Sequence, residues 1–258
     1  VRKIVREAGV SPTDHVLEIG PGLGSLTLAL VESGAAVSAV EIDEKLAAVL
    51  PQTISHRAPD AADRFAVATM DAMSIRSATD LAAPPAVPDF EPNLLVANLP
   101  YNVAVPVILT VLEAVPSLRK VLVMVQAEVA DRLAAPPGSR TYGVPSAKAA
   151  WYAEVTRGSN ISRNVFWPVP NVDSALVRLE RRDAPIAEGV SREDVFAVID
   201  GAFSQRRKTL RSALATWAGS PTHAEEIVRA AGVDPSLRGE RLTIGDFAAI
   251  AKAGATTH

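Results

Sequence analysis

From Val16 to Val125 short β-branched runs alternate with longer segments of helical period, and no other feature narrows the fold of this chain so far. The runs HVLEI, AAVSAVEI, FAVAT, NLLVA and KVLVMV read as strands of βαβ units, which build a parallel sheet covered by helices. Between them, SLTLALVESG ends at Gly34 as a helix stop does, and DEKLAAVLPQTI and VPVILTVLEAV supply two further helices. The stretch SATDLAAPPAVPDFEP carries four prolines within nine residues and is expected to be loop. Two later segments, NVFW and SALVRLE, are expected to pair as an antiparallel hairpin on the sheet edge.

After Arg182 the texture changes to helices alone. Three capping-box patterns, Ser191 with Asp194, Thr222 with Glu225 and Thr243 with Asp246, each precede an apolar periodic run and predict helix starts. The expected organisation is an α/β domain over residues 1–183 and a small all-helical C-terminal domain over 184–258, joined near Asp183 to Gly189.

Composition removes several function classes. A chain of 258 residues with 48% hydrophobic positions can bury a full core. No apolar run approaches the roughly 18 to 20 residues of a membrane span, and the start does not resemble a signal peptide, so the expected location is cytoplasmic. Without cysteine, disulfides, thiolate chemistry and Cys-ligated zinc are excluded, and His15, His56, His223 and His258 are too scattered to suggest a metal site. The formal charge of -3 gives no global sign of a nucleic-acid partner, which leaves that question to local patches. Val1-Arg2-Lys3 reads like the interior of a helix, so residues upstream of it are expected.

Chemistry concentrates at the strand ends. In LEIGPGLGSLTLAL, Gly20, Gly22 and Gly24 lie between the first strand and a helix, where missing side chains let a ligand rest on the backbone. The next strand ends in Glu41, 21 positions after Gly20, where an acid can accept from both hydroxyls of a ribose. A third strand delivers Asp71, a carboxylate placed to receive the exocyclic amine of an adenine. Three consecutive strand ends therefore describe an adenosine.

The fourth strand ends in NLPYN, beside whatever that adenosine carries. An adenine amine is a poor nucleophile because its lone pair is delocalised into the ring. An amide oxygen at Asn98 and a backbone carbonyl at Leu99 can accept hydrogen bonds from it and draw the nitrogen toward a pyramidal geometry. Pro100 fixes the turn and Tyr101 offers a face for base stacking. Downstream, Phe166 and Trp167 followed by Pro168 and Pro170 form a stiff aromatic turn suited to holding an unstacked base. The segment SQRRKTLR brings Arg206, Arg207, Lys208 and Arg211 together in the strongest basic cluster of the chain.

Taken together, EIGPGLG, EID, DAM, NLPYN, FWPVPNVDSALVRL and AFSQRRKTLRSAL resemble the ribosomal RNA small-subunit adenine dimethyltransferases, over nearly the whole chain. The resemblance implies a Rossmann-like class I methyltransferase sheet, S-adenosyl-L-methionine as cofactor, and conversion of two adjacent adenosines of 16S ribosomal RNA to N6,N6-dimethyladenosine during ribosome biogenesis. It implies that Glu18, Gly20, Gly22 and Gly24, then Glu41 and Ile42, then Asp71 and Ala72, hold the cofactor. Asn98 would serve both cofactor and target. Leu99, Pro100, Tyr101 and Phe166 would complete the target site, and Arg206, Arg207, Lys208 and Arg211 would meet RNA. The expected partner is the small ribosomal subunit, with no metal and no membrane, and a monomer suits an enzyme whose substrate is itself a large particle. In that family a Gly-Gln-Asn-Phe segment helps close the cofactor pocket; its place would lie upstream of Val1. Three alternatives remain at this point: a large-subunit methyltransferase of the macrolide-resistance kind, a DNA adenine methyltransferase, and a non-catalytic RNA-binding assembly factor.

Overall fold

The computed structural model describes residues 1–256 apart from Tyr101, Trp167 and Pro168. They cluster into two compact units, one of Val1–Ala130 with Val155–Arg181, the other of Asp131–Glu154 with Arg182–His258. The second junction lies between Arg181 and Arg182. The segment Asp131–Glu154, which the sequence pattern left with the first domain, groups with the C-terminal helices.

The first unit is built on a seven-stranded sheet: β1 (His15–Ile19), β2 (Ala36–Glu41), β3 (Phe65–Thr69), β4 (Leu94–Asn98), β5 (Lys120–Gln126), β6 (Ala153–Ile161) and β7 (Ser174–Arg181), in the order β3-β2-β1-β4-β5-β7-β6. The first five strands run parallel, and β7 closes antiparallel on β5. The order reverses at β1, which has β2 on one side and β4 on the other. In an open α/β sheet a ligand crevice opens at such a reversal, past the carboxyl ends of the strands.

Four helices belong to this unit: α1 (Arg2–Ala8), α2 (Ser25–Glu32), α3 (Glu44–Arg57) and α4 (Ala104–Ala114). Leu30 and Val31 of α2 and Leu50 and Ile54 of α3 are buried with Val16, Val37, Phe65 and Val96 of the sheet. Burying each such side chain is worth about 1.5 to 3 kcal/mol, so this face helps hold the strand ends in place. Asp43 caps α3 by accepting from the N–H groups of Lys45 and Leu46 at 2.8 and 3.1 Å.

Two expectations need correction. The partner of β7 at the edge is β6, Ala153–Ile161, whereas Asn164 and Val165 of the expected NVFW strand lie in a 3-10 turn, Arg163–Val165, capped by Ser162. The proline-rich sequence that follows suits a turn better than a ladder. The helix expected to start at Thr222 starts two residues earlier. Ser220 is its cap, accepting from His223 N–H at 3.1 Å, and Pro221 occupies the first helical position, where its fixed φ is already helical.

The second unit is helical: the end of α5 (Ala127–Leu133), then α6 (Val144–Tyr152), α7 (Arg192–Ser204), α8 (Leu210–Ala213), α9 (Ala215–Ala218), α10 (Pro221–Ala230) and α11 (Ile244–Ala255). Its core gathers Ala147, Val195, Val198, Ile199, Leu210, Ile227, Phe247 and Ile250. Tyr142 is buried there and donates its hydroxyl to the Leu242 carbonyl at 2.7 Å. Burial and the nearby Asp246 carboxylate raise its pKa. Ser191 and Thr243 cap α7 and α11 as their sequence patterns require, each accepting from the third N–H of its helix.

Candidate functional site

The loop after β1 passes through Gly20, Gly22 and Gly24 at φ of 68°, 57° and 87°. All three conformations are left-handed, which is why the loop needs glycine at these positions. Gly20 N–H donates to the Val40 carbonyl at 2.9 Å, so the loop leans on β2. Gly24 is the residue from which α2 starts. Glu41, at the end of β2 and 5% exposed, accepts from Gly22 N–H through Oε2 and from Asp43 N–H through Oε1, both at 3.0 Å. One carboxylate thus ties the glycine loop to the turn after β2.

A cavity of about 410 Å³ opens beside this loop, within the size range of small-molecule sites. Its wall combines Glu18, Gly20 and Gly22 from the β1 end, Asn98 from β4, Met124 from β5, Lys3 and Ile4 from α1, and Val165 and Phe166. Asn98 is the last residue of β4, exposed, and paired in register with Met124. A β-carbon on Gly20 would sit 4.0 Å from the Asn98 carbonyl oxygen, a measure of how closely the loop approaches the strand end. Leu99 is buried and its N–H donates to the Met124 carbonyl at 3.0 Å; the Pro100 carbonyl accepts from Val103 N–H at 3.2 Å and shapes the turn. Tyr101, with Trp167 and Pro168 of the aromatic turn, lies outside the described residues. Phe166 is half-buried against the sheet core.

Glu18 is the most perturbed group on this wall. It is 1% exposed and its Oε2 has no hydrogen-bond partner. Burial, with a smaller push from the Glu41 carboxylate, raises its pKa to about 8. The Thr27 hydroxyl beside it pulls the other way without reaching hydrogen-bond geometry.

Other expected cofactor residues stand on the same edge of the sheet but off the cavity wall. Asp71 follows β3 and spends one oxygen capping the short 3-10 turn Ala72–Ser74, accepting from Met73 N–H at 2.9 Å. Met70 N–H donates to the Glu41 carbonyl at 3.0 Å, which holds this turn next to the end of β2. Ile42 is 67% exposed, an apolar side chain open to a flat ligand, and Ala72 is buried. Sequence reasoning passed over Met124, Lys3 and Ile4. Met124 was within reach, because the neighbour of a strand end in a parallel sheet lies at the end of the next strand.

In the second unit the four expected RNA cations divide. Arg211 Nε donates to Glu225 at 2.8 Å, and Glu225 also receives Arg229. Arg206 donates to the Arg140 carbonyl at 2.8 Å and faces Glu240 at 3.5 Å. Arg207 and Lys208 are exposed and ion-pair with no described residue. Among the described residues no group of acids and histidines is arranged to hold a metal, and no helix is long and apolar enough to cross a membrane.

The donor set suits S-adenosylmethionine: a bared backbone loop, two buried carboxylates for a ligand carrying ribose hydroxyls and positive charge, and an unpartnered acid oxygen at the cavity wall. The profile of the family described as ribosomal RNA adenine dimethylase matches residues 1–255. The chain is 60% identical over 258 residues to ribosomal RNA small subunit methyltransferase A of Streptomyces avermitilis, covering all of this chain and 84% of that protein. To the protein of the same name from Thermobifida fusca it is 62% identical over 252 residues, 98% of this chain and 84% of that one. Among solved structures, a dimethyladenosine transferase from Plasmodium falciparum superposes with a TM-score of 0.76 at 22% identity, covering 96% of this chain and 92% of the other. The 23S rRNA methyltransferase ErmE does so at 0.65 and 25% identity, over 97% and 95%.

Proposed function

The chain belongs to the ribosomal RNA adenine dimethylase family, and from that premise we propose that the cavity at the ends of β1 and β4 is where a target adenine meets S-adenosylmethionine. The protein is an rRNA methyltransferase: it transfers methyl groups to the N6 of two adjacent adenosines in small-subunit ribosomal RNA, giving N6,N6-dimethyladenosine. The observation that carries the site is the presence of Asn98 on the same wall as the glycine loop and Glu18.

When bound, S-adenosylmethionine supplies an electrophilic methyl group on a sulfonium. Glu41 would accept from its ribose hydroxyls with the lone pairs left after binding Gly22 and Asp43, Asp71 and the Ala72 backbone would hold its adenine, and Ile42 would cover that ring. The Asn98 side-chain oxygen and the Leu99 carbonyl accept from the target N6 amine, which localises its lone pair. Asn98 and Leu99 would thereby ready the amine to take the methyl group that the cofactor would supply, and the amine proton would leave to solvent. Phe166 would hold the base by stacking, the role expected of Tyr101 as well. Positioning and electrostatics carry the catalysis, without a dedicated general base. The small ribosomal subunit is the partner, the enzyme acts as a cytoplasmic monomer, and Arg207 and Lys208 meet phosphate.

The test is methyl incorporation into small subunits by the full-length protein. Asn98→Ala is expected to lower transfer by about two to three orders of magnitude, as for one lost transition-state partner, with RNA affinity retained. Transfer within about tenfold of the parent would remove Asn98 from the chemistry.

A further inference from the structure

Glu18 is more than a wall residue. Its carboxyl is buried, lines the cavity, and has an oxygen with no donor, whereas Glu41 nearby has both oxygens engaged by backbone N–H groups. An ionised carboxylate in such a place is strongly disfavoured until a cation arrives. Among the described residues, the charged groups around it do not supply one. On β2 stands the Glu41 carboxylate, which repels it. On α2 stands the uncharged Thr27, and on β4 and β5 stand Asn98 and Met124. On α1 the Lys3 ammonium is tied to the Asn160 carbonyl at 3.0 Å.

We infer that Glu18 is a proton-coupled cation receptor: neutral in the empty cavity, it ionises when the positively charged cofactor enters, and its proton passes to solvent. The inference rests on the reading of this cavity as the S-adenosylmethionine site. Burial has already moved the carboxyl toward the protonated form, up to about pH 8, so the neutral state prevails at neutral pH. The bond broken is the carboxyl O–H; what replaces it is an ion pair with the cofactor's cationic end. Below pH 8 the affinity for cofactor should therefore rise by up to about tenfold per pH unit, and the rise should level off above it. Asn98 and Phe166, on the same wall, carry no charge and cannot produce this dependence.

The experiment is calorimetric titration of the full-length protein with S-adenosylmethionine, from pH 6 to 9.5, in pairs of buffers that differ in heat of ionisation. Release of close to one proton per cofactor is expected at pH 6 to 7, falling through half near pH 8 and vanishing by pH 9.5. Glu18→Gln should abolish the release, including any part wrongly ascribed to the cofactor's own amine. Should that variant fail to fold, infrared difference spectra of the unsubstituted protein give the second readout, since cofactor binding must remove a protonated-carboxyl C=O band. Binding without proton exchange, exchange that persists in Glu18→Gln, or a carboxyl band unchanged on binding overturns the inference while leaving the site in place. Absence of cofactor binding at every pH would overturn the reading of the site and the inference with it.

Discussion

At the scale of single residues, two acids one strand apart are treated oppositely by the fold. Glu41 is buried but satisfied by two backbone N–H donors, while Glu18 is buried with an oxygen unpartnered. The difference makes a pH prediction for the free protein. In the unfolded chain Glu18 ionises near its ordinary value of 4.5, whereas in the fold burial holds the proton up to about pH 8. Below about pH 4.5 the group is neutral in both states and its contribution to stability is intact. As pH rises from there the unfolded state gains by ionising and the folded state does not, so stability falls until the folded carboxyl also ionises near pH 8. The limiting slope is about 1.4 kcal/mol per pH unit. Urea unfolding at pH 5 and pH 8 should show a loss on going to the higher pH, and Glu18→Gln should reduce that loss. An equal loss in both proteins would place the dependence elsewhere.

At the scale of elements, the strands β1, β2, β4 and β5 were legible because each is an apolar run, and burial on both faces demands that composition; β3, at the sheet edge and only partly buried, was legible from its short FAVAT run alone. The edge strand β6 was not. Its sequence AEVTRGSNI is polar and interrupted by Gly158, and only pairing with β7 makes it a strand. Gly158 itself is explained by crowding, since a β-carbon there would meet the Glu7 carboxylate and lie 3.1 Å from the Leu176 carbonyl oxygen. The glycine loop and Asn98 were legible because they sit at strand ends in a parallel sheet, where position along the chain nearly fixes position in space. Lys3 and Ile4 reach the cavity only through the packing of α1, and no local pattern announces that. The grouping of Asp131–Glu154 with the C-terminal helices is likewise a tertiary fact. Gly34 was read as a helix stop, and the structure adds a second demand. It sits at φ +94°, after the Ser33 that closes α2, and a β-carbon there would lie 3.0 Å from the Pro12 ring. Gly34→Ala should cost about 1 to 3 kcal/mol through left-handed strain and that contact, measured as a lower urea midpoint with unchanged m-value. An unshifted midpoint would show that the turn relaxes freely.

At the scale of the whole molecule, the question is what the protein grips and what it modifies. Basic residues in a run need not act together. Arg211 is engaged by Glu225 and Arg206 faces Glu240, whereas Arg207 and Lys208 are exposed without a carboxylate partner among the described residues. Replacing Arg207 and Lys208 with Ala should weaken RNA binding and flatten its dependence on log salt by roughly 0.7 to 0.9 per lost phosphate contact, while Arg211→Ala should leave the slope unchanged. The reverse pattern would assign the phosphate contacts to Arg211. The central claim, adenine dimethylation on the small subunit, is tested most directly by supplying the full-length protein with labelled S-adenosylmethionine and small subunits, large subunits or naked RNA that lack the modification. Nucleoside analysis then identifies the product. Label in small-subunit RNA, recovered as N6,N6-dimethyladenosine at two adjacent positions, is the predicted result. Label confined to large-subunit RNA, or recovered on any other base, would contradict it.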